Sequence, residues 1–166
     1  KEGNYYYMTD YKQLIAWDIE SRTVRYIPIS KMGNDNPSGN ILPKLNFQRH
    51  RPNFADLGKG FIAQIEYDSL HPIRVIADPR VINAAYISDI DADAKGNIWI
   101  CNTGAGLIQY KTGNGTTRVW DETDGISLNQ VGSIAIDNRD NVWSVHRGFY
   151  AVLLTKTQTF FNFALP

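Results

Sequence analysis

Sliding the sequence along itself by 44 residues superposes Ile87, Ile90, Asp93, Asn97, Ile98, Trp99 and Gly104 on Val131, Ile134, Asp137, Asn141, Val142, Trp143 and Gly148. Like residues at fixed spacings mark an internal repeat. A repeat of this length is one supersecondary unit, which buries its apolar face only by stacking on a neighbour. A shift of 93 carries Gly3, Asn4, Tyr6, Leu14 and Trp17 onto Gly96, Asn97, Trp99, Leu107 and Tyr110 without a gap. The N-terminal stretch therefore reads as a unit that lacks its first strand. Ten residues separate Trp17 from Ile27, Tyr110 from Trp120 and Leu153 from Phe163, which predicts the third and fourth strands of each unit.

The units are built of strands. The chain holds 4 Trp, 9 Tyr and 7 Phe, gathered with β-branched residues into short runs, which is the composition of a pleated, half-buried surface. Strands are predicted at 5–8, 14–17, 24–29, 61–67, 73–76, 86–90, 98–101, 107–110, 117–120, 131–136, 142–145, 151–154 and 159–163. Turn residues separate them, among them Gly96-Asn97, Gly113-Asn114-Gly115 and Asp124-Gly125. No stretch carries apolar residues at helical spacing, so essentially no helix is expected. The expected organisation over 1–166 is a half unit at 3–27, a degenerate one at 38–77 and two good ones at 87–120 and 131–163. Four-stranded units of 40–45 residues are blades, so the predicted fold is all-β: a β-propeller fragment of about three and a half antiparallel blades. Gly96-Asn97 and Asn141 mark tight hairpins. Trp99 and Trp143 are both expected to fill the wedge between neighbouring blades.

Charge and motifs exclude several functions. Lys plus Arg is 17 and Asp plus Glu is 17, which supplies no field for a phosphate backbone, so no nucleic-acid binding is expected of this segment. Cys101 is the single cysteine, so an intramolecular disulfide or a multi-cysteine metal site is impossible. Asp89-x-Asp91-x-Asp93 fails the calcium-loop pattern, because glycine falls at the eighth position and Ile100 stands at the twelfth. His50, His71 and His146 are dispersed, with no zinc signature and no serine elbow. Neither a metal nor a cofactor is expected. The chain opens Lys1-Glu2-Gly3-Asn4 and reads as a mature or excised piece.

The run from Ile87 through Asp93, Gly96-Asn97-Ile98-Trp99-Ile100, then Gly104 to Tyr110, then Trp120 to Asn129, resembles the two-component regulator propeller repeat. Where that family commonly has Ile-Gly-Thr after the tryptophan, this chain has Ile100-Cys101-Asn102 and Ser144-Val145-His146. The resemblance implies the extracytoplasmic sensor region of a bacterial hybrid two-component histidine kinase, in a family many of whose members respond to glycans. It also implies further blades, an immunoglobulin-like connector, a membrane helix and cytoplasmic signalling modules, all outside these residues. The localisation that follows is periplasmic.

In a propeller the loops joining second to third strands share one face with the blade-to-blade connections. Here those loops hold Tyr11 and Lys12, then Asn102 and Thr103, then His146, Arg147 and Tyr150. Such side chains can stack on and grip a sugar, so they form the expected ligand site. The expected function is sensing of an oligosaccharide by a non-enzymatic segment. Alternatives are a propeller enzyme, lyase or glycosidase-like, and a secretion-associated scaffold. Partners expected are a small carbohydrate and a second copy of the chain, since an unclosed ring leaves apolar blade faces bare. Contact with a membrane is expected only through other parts of the full protein.

Overall fold

The computed structural model describes residues 5–9, 13–28, 43–44, 53–58, 61–66, 69–74 and 87–164. The chain divides into two compact units, Lys1–Arg74 and Val75–Pro166.

In the first unit β1 (Tyr5–Thr9), β2 (Gln13–Asp18) and β3 (Thr23–Pro28) form a three-stranded antiparallel sheet in chain order. A second sheet holds β4 (Pro43–Lys44), β5 (Asn53–Gly58), β6 (Phe61–Glu66) and β7 (Ser69–Arg74). Two details depart from expectation. Strand β5 was not foreseen, because Asn-Phe-Ala-Asp-Leu-Gly contains no β-branched residue and forms its ladder on β6 regardless. The strand expected at 73–76 instead runs from Ser69 to Arg74 and contains Pro72; as an edge strand, β7 tolerates a residue with no amide proton.

The second unit repeats one meander twice. Strands β8 (Ile87–Ala92), β9 (Ile98–Asn102), β10 (Gly106–Lys111) and β11 (Thr116–Trp120) make one sheet. Strands β12 (Val131–Ile136), β13 (Val142–His146), β14 (Phe149–Leu154) and β15 (Thr159–Ala164) make the other. Both innermost strands carry a bulge at the equivalent place, between Ile87 and Asp89 and between Val131 and Ser133. The described residues contain no α-helix, only a single 3-10 turn at Glu122–Asp124.

One register difference qualifies the 93-residue repeat. Tyr6 pairs with Trp17, whereas Trp99 pairs with Gln109, one residue short of Tyr110. Because side chains alternate across a strand, Trp17 shares a sheet side with Tyr6 while Tyr110 lies opposite Trp99.

Between the two sheets of the second unit lies their common core. Trp99, Cys101, Leu107 and Trp120 pack on Val131, Ile134, Ile136, Val142 and Leu153, with Ile126 and Phe160 closing the rim. At the inner edge Ser88 Oγ donates to the Val131 carbonyl, and Asp89 Oδ2 accepts from Ser133 Oγ at 2.7 Å and from the Ile134 amide at 2.9 Å. The equal burial expected of the two repeat tryptophans needs correcting. Trp99 is 1% exposed and Trp143 is 44% exposed, because sheet β12–β15 covers the side of β9 that bears Trp99 and no described strand covers the matching side of β13.

Candidate functional site

The two ends of each sheet in the second unit do different work. At the end holding the β8–β9 and β12–β13 hairpins, Asp93 Oδ1 accepts the amides of Lys95 at 3.0 Å and Asn97 at 2.8 Å. Its Oδ2 accepts from Asn97 Nδ2 at 2.8 Å and from the Trp99 indole at 3.2 Å. Asp137 repeats the bracket with the amides of Arg139 and Asn141, with Asn141 Nδ2 and with the Trp143 indole. Partial burial pushes the Asp137 carboxyl up, but the donors from Asn141, Arg139 and Trp143 outweigh it and hold it at about 2. Gly96 takes a positive φ of 79° in the first hairpin, and Asp140 takes 61° at the equivalent position in the second. A residue with a Cβ is strained there, and Asp140 offsets the strain by accepting the Ala94 amide of the neighbouring hairpin at 2.9 Å. Gly96, Asn97, Trp99, Asn141 and Trp143 all belong to these two hairpin brackets. The aspartates that organise them were missed, although both stand in the 44-residue superposition six residues before a tryptophan.

The opposite end collects the β9–β10 turn, the β13–β14 turn and the connection 121–130. Asn102 is buried, and its Oδ1 accepts the amides of Gly104 and Ala105, each at 3.0 Å, closing its own turn. In the connection Glu122 and Asn129 clasp each other: the Glu122 amide donates to Asn129 Oδ1 and the Asn129 amide to Glu122 Oε1, both at 3.0 Å. Gly106 N–H donates to the Asn129 carbonyl at 3.1 Å. His146 Nδ1 lies 2.9 Å from the adjacent Leu128 carbonyl. Gly106 and His146 thus both tie to one stretch of backbone, Leu128-Asn129.

His146 corrects a second expectation. It is no exposed loop residue: it ends β13, is 4% exposed, and has Nε2 2.9 Å from Ser144 Oγ. A carbonyl only accepts, so Nδ1 carries the proton and Nε2 accepts the Ser144 hydroxyl. Burial drives the imidazole pKa below its ordinary 6.5, and the bond to the Leu128 carbonyl opposes this only in part. Ser144 is 1% exposed, so this serine–histidine pair braces the buried end of the sheet. Arg147 is exposed in the turn with Gly148. Tyr150 sits within β14, on the side of the sheet that bears Val145, and so does not line the turn. Tyr11 and Lys12 lie outside the described residues. Of the expected site, Asn102 and Thr103 stand at the β9–β10 turn and His146 and Arg147 at the β13–β14 turn, with Asn102 and His146 buried. Among the described residues no group of three or more His, Cys, Asp or Glu side chains could hold a metal ion.

No protein-family model matches the chain, and no curated protein matches it. Solved structures do. An extracellular domain assigned to a one-component system of B. thetaiotaomicron matches with a TM-score of 0.70 at 12% identity, covering 100% of this chain and 22% of that one. The extracellular domain of a hybrid two-component system from the same organism gives 0.68 at 15%, covering 98% and 23%. Virginiamycin B lyase from Staphylococcus aureus gives 0.69 at 11%, covering 99% and 56%. The chain thus spans less than two thirds of each of these proteins. At such identities the likeness concerns architecture, and the architecture is that of a β-propeller.

Proposed function

We propose that the chain is part of the extracytoplasmic propeller of a bacterial two-component sensor histidine kinase, that it lies in the periplasm, and that it binds an oligosaccharide without transforming it. The observation that carries this reading is the match of essentially the whole chain to extracellular domains of one- and two-component systems, joined to a repeat motif that resembles the two-component regulator propeller repeat. The division of labour between the sheet ends supports it. The Asp93 and Asp137 brackets are the same in both repeats, whereas the opposite turns read Asn102-Thr103-Gly104-Ala105 and His146-Arg147-Gly148. A constant frame with a varied rim is how a scaffold presents recognition residues. Exposed Arg147, next in the chain to buried His146, offers five donors to sugar hydroxyl or carboxylate oxygens.

The test is calorimetric titration of the chain with a panel of oligosaccharides, neutral and acidic. The expected result is binding by one class, weakened at least tenfold by Arg147→Ala at unchanged thermal midpoint. Binding by none, or binding indifferent to Arg147, refutes it. The lyase likeness supports a second reading, a propeller enzyme. Incubation with virginiamycin B, followed by mass spectrometry, decides it: turnover replaces the sensor reading.

A further inference from the structure

The chain holds a single Asn-Gly pair, Asn114-Gly115, and it stands exposed in the turn between β10 and β11. Asparagine is chemically labile where the backbone nitrogen of the next residue reaches its side-chain carbon. Glycine allows that approach, because no Cβ shields the nitrogen. Gly115 takes a φ of 67°, a conformation that a residue with a Cβ adopts only under strain.

Two donors hold the Asn114 side chain. Its Oδ1 accepts the Thr116 hydroxyl at 2.7 Å and the Thr116 amide at 3.2 Å. Both draw electron density from the amide carbon Cγ and stand where negative charge collects on Oδ1 during attack, which is the work of an oxyanion hole. One contact opposes the reaction: the Gly115 amide donates to the Lys111 carbonyl at 2.8 Å. Releasing it takes only a local opening at the tip of an exposed turn, and the bonds to Thr116 join residues two apart and survive that opening.

We propose that Asn114 is a site of spontaneous deamidation and that Thr116 promotes it. The Gly115 nitrogen gives its proton to water and bonds to Asn114 Cγ. The Cγ–Nδ2 bond breaks, ammonia leaves with a proton taken from water, and a five-membered succinimide remains. Water then opens the ring at either carbonyl, giving aspartate or isoaspartate; no oxidant or reductant takes part. The related pair Asp124-Gly125 is spared, because both Asp124 oxygens are engaged, by Arg118 and by the Asp121 amide, and the charge of a carboxylate repels the attacking nitrogen. Isoaspartate lengthens the backbone beside the Lys111–Thr116 pair that ends the β10–β11 ladder. That turn lies at the sheet end of the Asp93 bracket, where Thr112 Oγ1 donates to the Gly96 carbonyl at 3.2 Å, so the site is separate from the turn that holds Arg147.

Ageing the chain in mildly alkaline buffer, followed by tryptic digestion and mass spectrometry, tests this. Cleavage after Lys111 and Arg118 isolates the peptide Thr112–Arg118, in which Asn114 is the only side-chain amide. A gain of about one dalton is expected in this peptide ahead of every other asparagine-bearing peptide, with isoaspartate among the products. Thr116→Val should slow the gain about threefold or more in the folded chain, and leave it unchanged in urea, where the turn is lost. Gly115→Ala should slow it about tenfold or more. A peptide that does not change, an equal rate at another asparagine, or a folded-state rate indifferent to Thr116 or to Gly115 overturns the proposal. So does a Thr116 effect that persists in urea.

Discussion

Asp93 accepts the indole N–H of Trp99 across the β8–β9 hairpin, tying the turn to a side chain in the core between two sheets. The carboxylate that shapes the turn therefore also sets the orientation of the largest buried ring. Asp93→Ala leaves that buried indole and two turn amides without their acceptor. The expected loss is on the order of 2–4 kcal/mol by urea denaturation, given about 1–3 kcal/mol for an orphaned buried donor. Asp137→Ala should cost less, because water reaches the Trp143 indole once the bracket is gone. Equal losses would show that the turn, and not the ring, sets the cost.

Truncating the tryptophans should separate them further. Trp99→Ala is expected to cost about 3–5 kcal/mol, the range for a sealed large aromatic. Trp143→Ala, at a ring 44% exposed, should cost under about 1 kcal/mol. Denaturant midpoints of the two variants check this.

His146 predicts a pH dependence. Its folded pKa lies below 6.5, so between the two values the unfolded chain binds more protons than the folded one. Stability is then complete above about pH 6.5 and falls as the pH drops through the folded value. Thermal midpoints from pH 7.5 to 5 should decline, and His146→Gln should flatten that limb. Asp137, held at about 2, adds a separate decline below its ordinary 3.8, as the pH falls toward 2.

Gly106 takes a φ of 94°, and a Cβ there would overlap the Trp120 carbonyl. Gly106→Ala combines backbone strain with a collision against backbone and should cost more than about 2 kcal/mol. Gly113→Ala, in the β10–β11 turn with open space around it, should cost under about 0.5 kcal/mol. Matched thermal melts of the two variants make the comparison.

The repeat made most of the strands legible, because Ile98-Trp99-Ile100 and Val142-Trp143 announce their pleat by alternation and their turns by Gly and Asn. The unlike fates of Trp99 and Trp143 were hidden, since a repeat reports what a position can bury and says nothing of whether a neighbour is there. His146 read as a loop residue because its polarity outweighed its place two residues after Ser144 on a continuing strand. Its partner, the Leu128 carbonyl, is backbone and leaves no mark in the side-chain pattern. Asp93 and Asp137 were visible and passed over, because carboxylates near a turn are common and their indole partners appear only when the hairpin is folded.

The side-chain bonds from Ser88 and Asp89 to β12 have a consequence for solubility. A strand at the rim of a sheet offers unpaired amides on which a foreign strand can start a ladder, the first step toward fibrils. Asp89 occupies the Ile134 amide and Ser88 the Val131 carbonyl, so two of the groups an incoming strand would use are already taken. Asp89 and Ser88 thus withhold part of the β12 edge from pairing with a foreign strand.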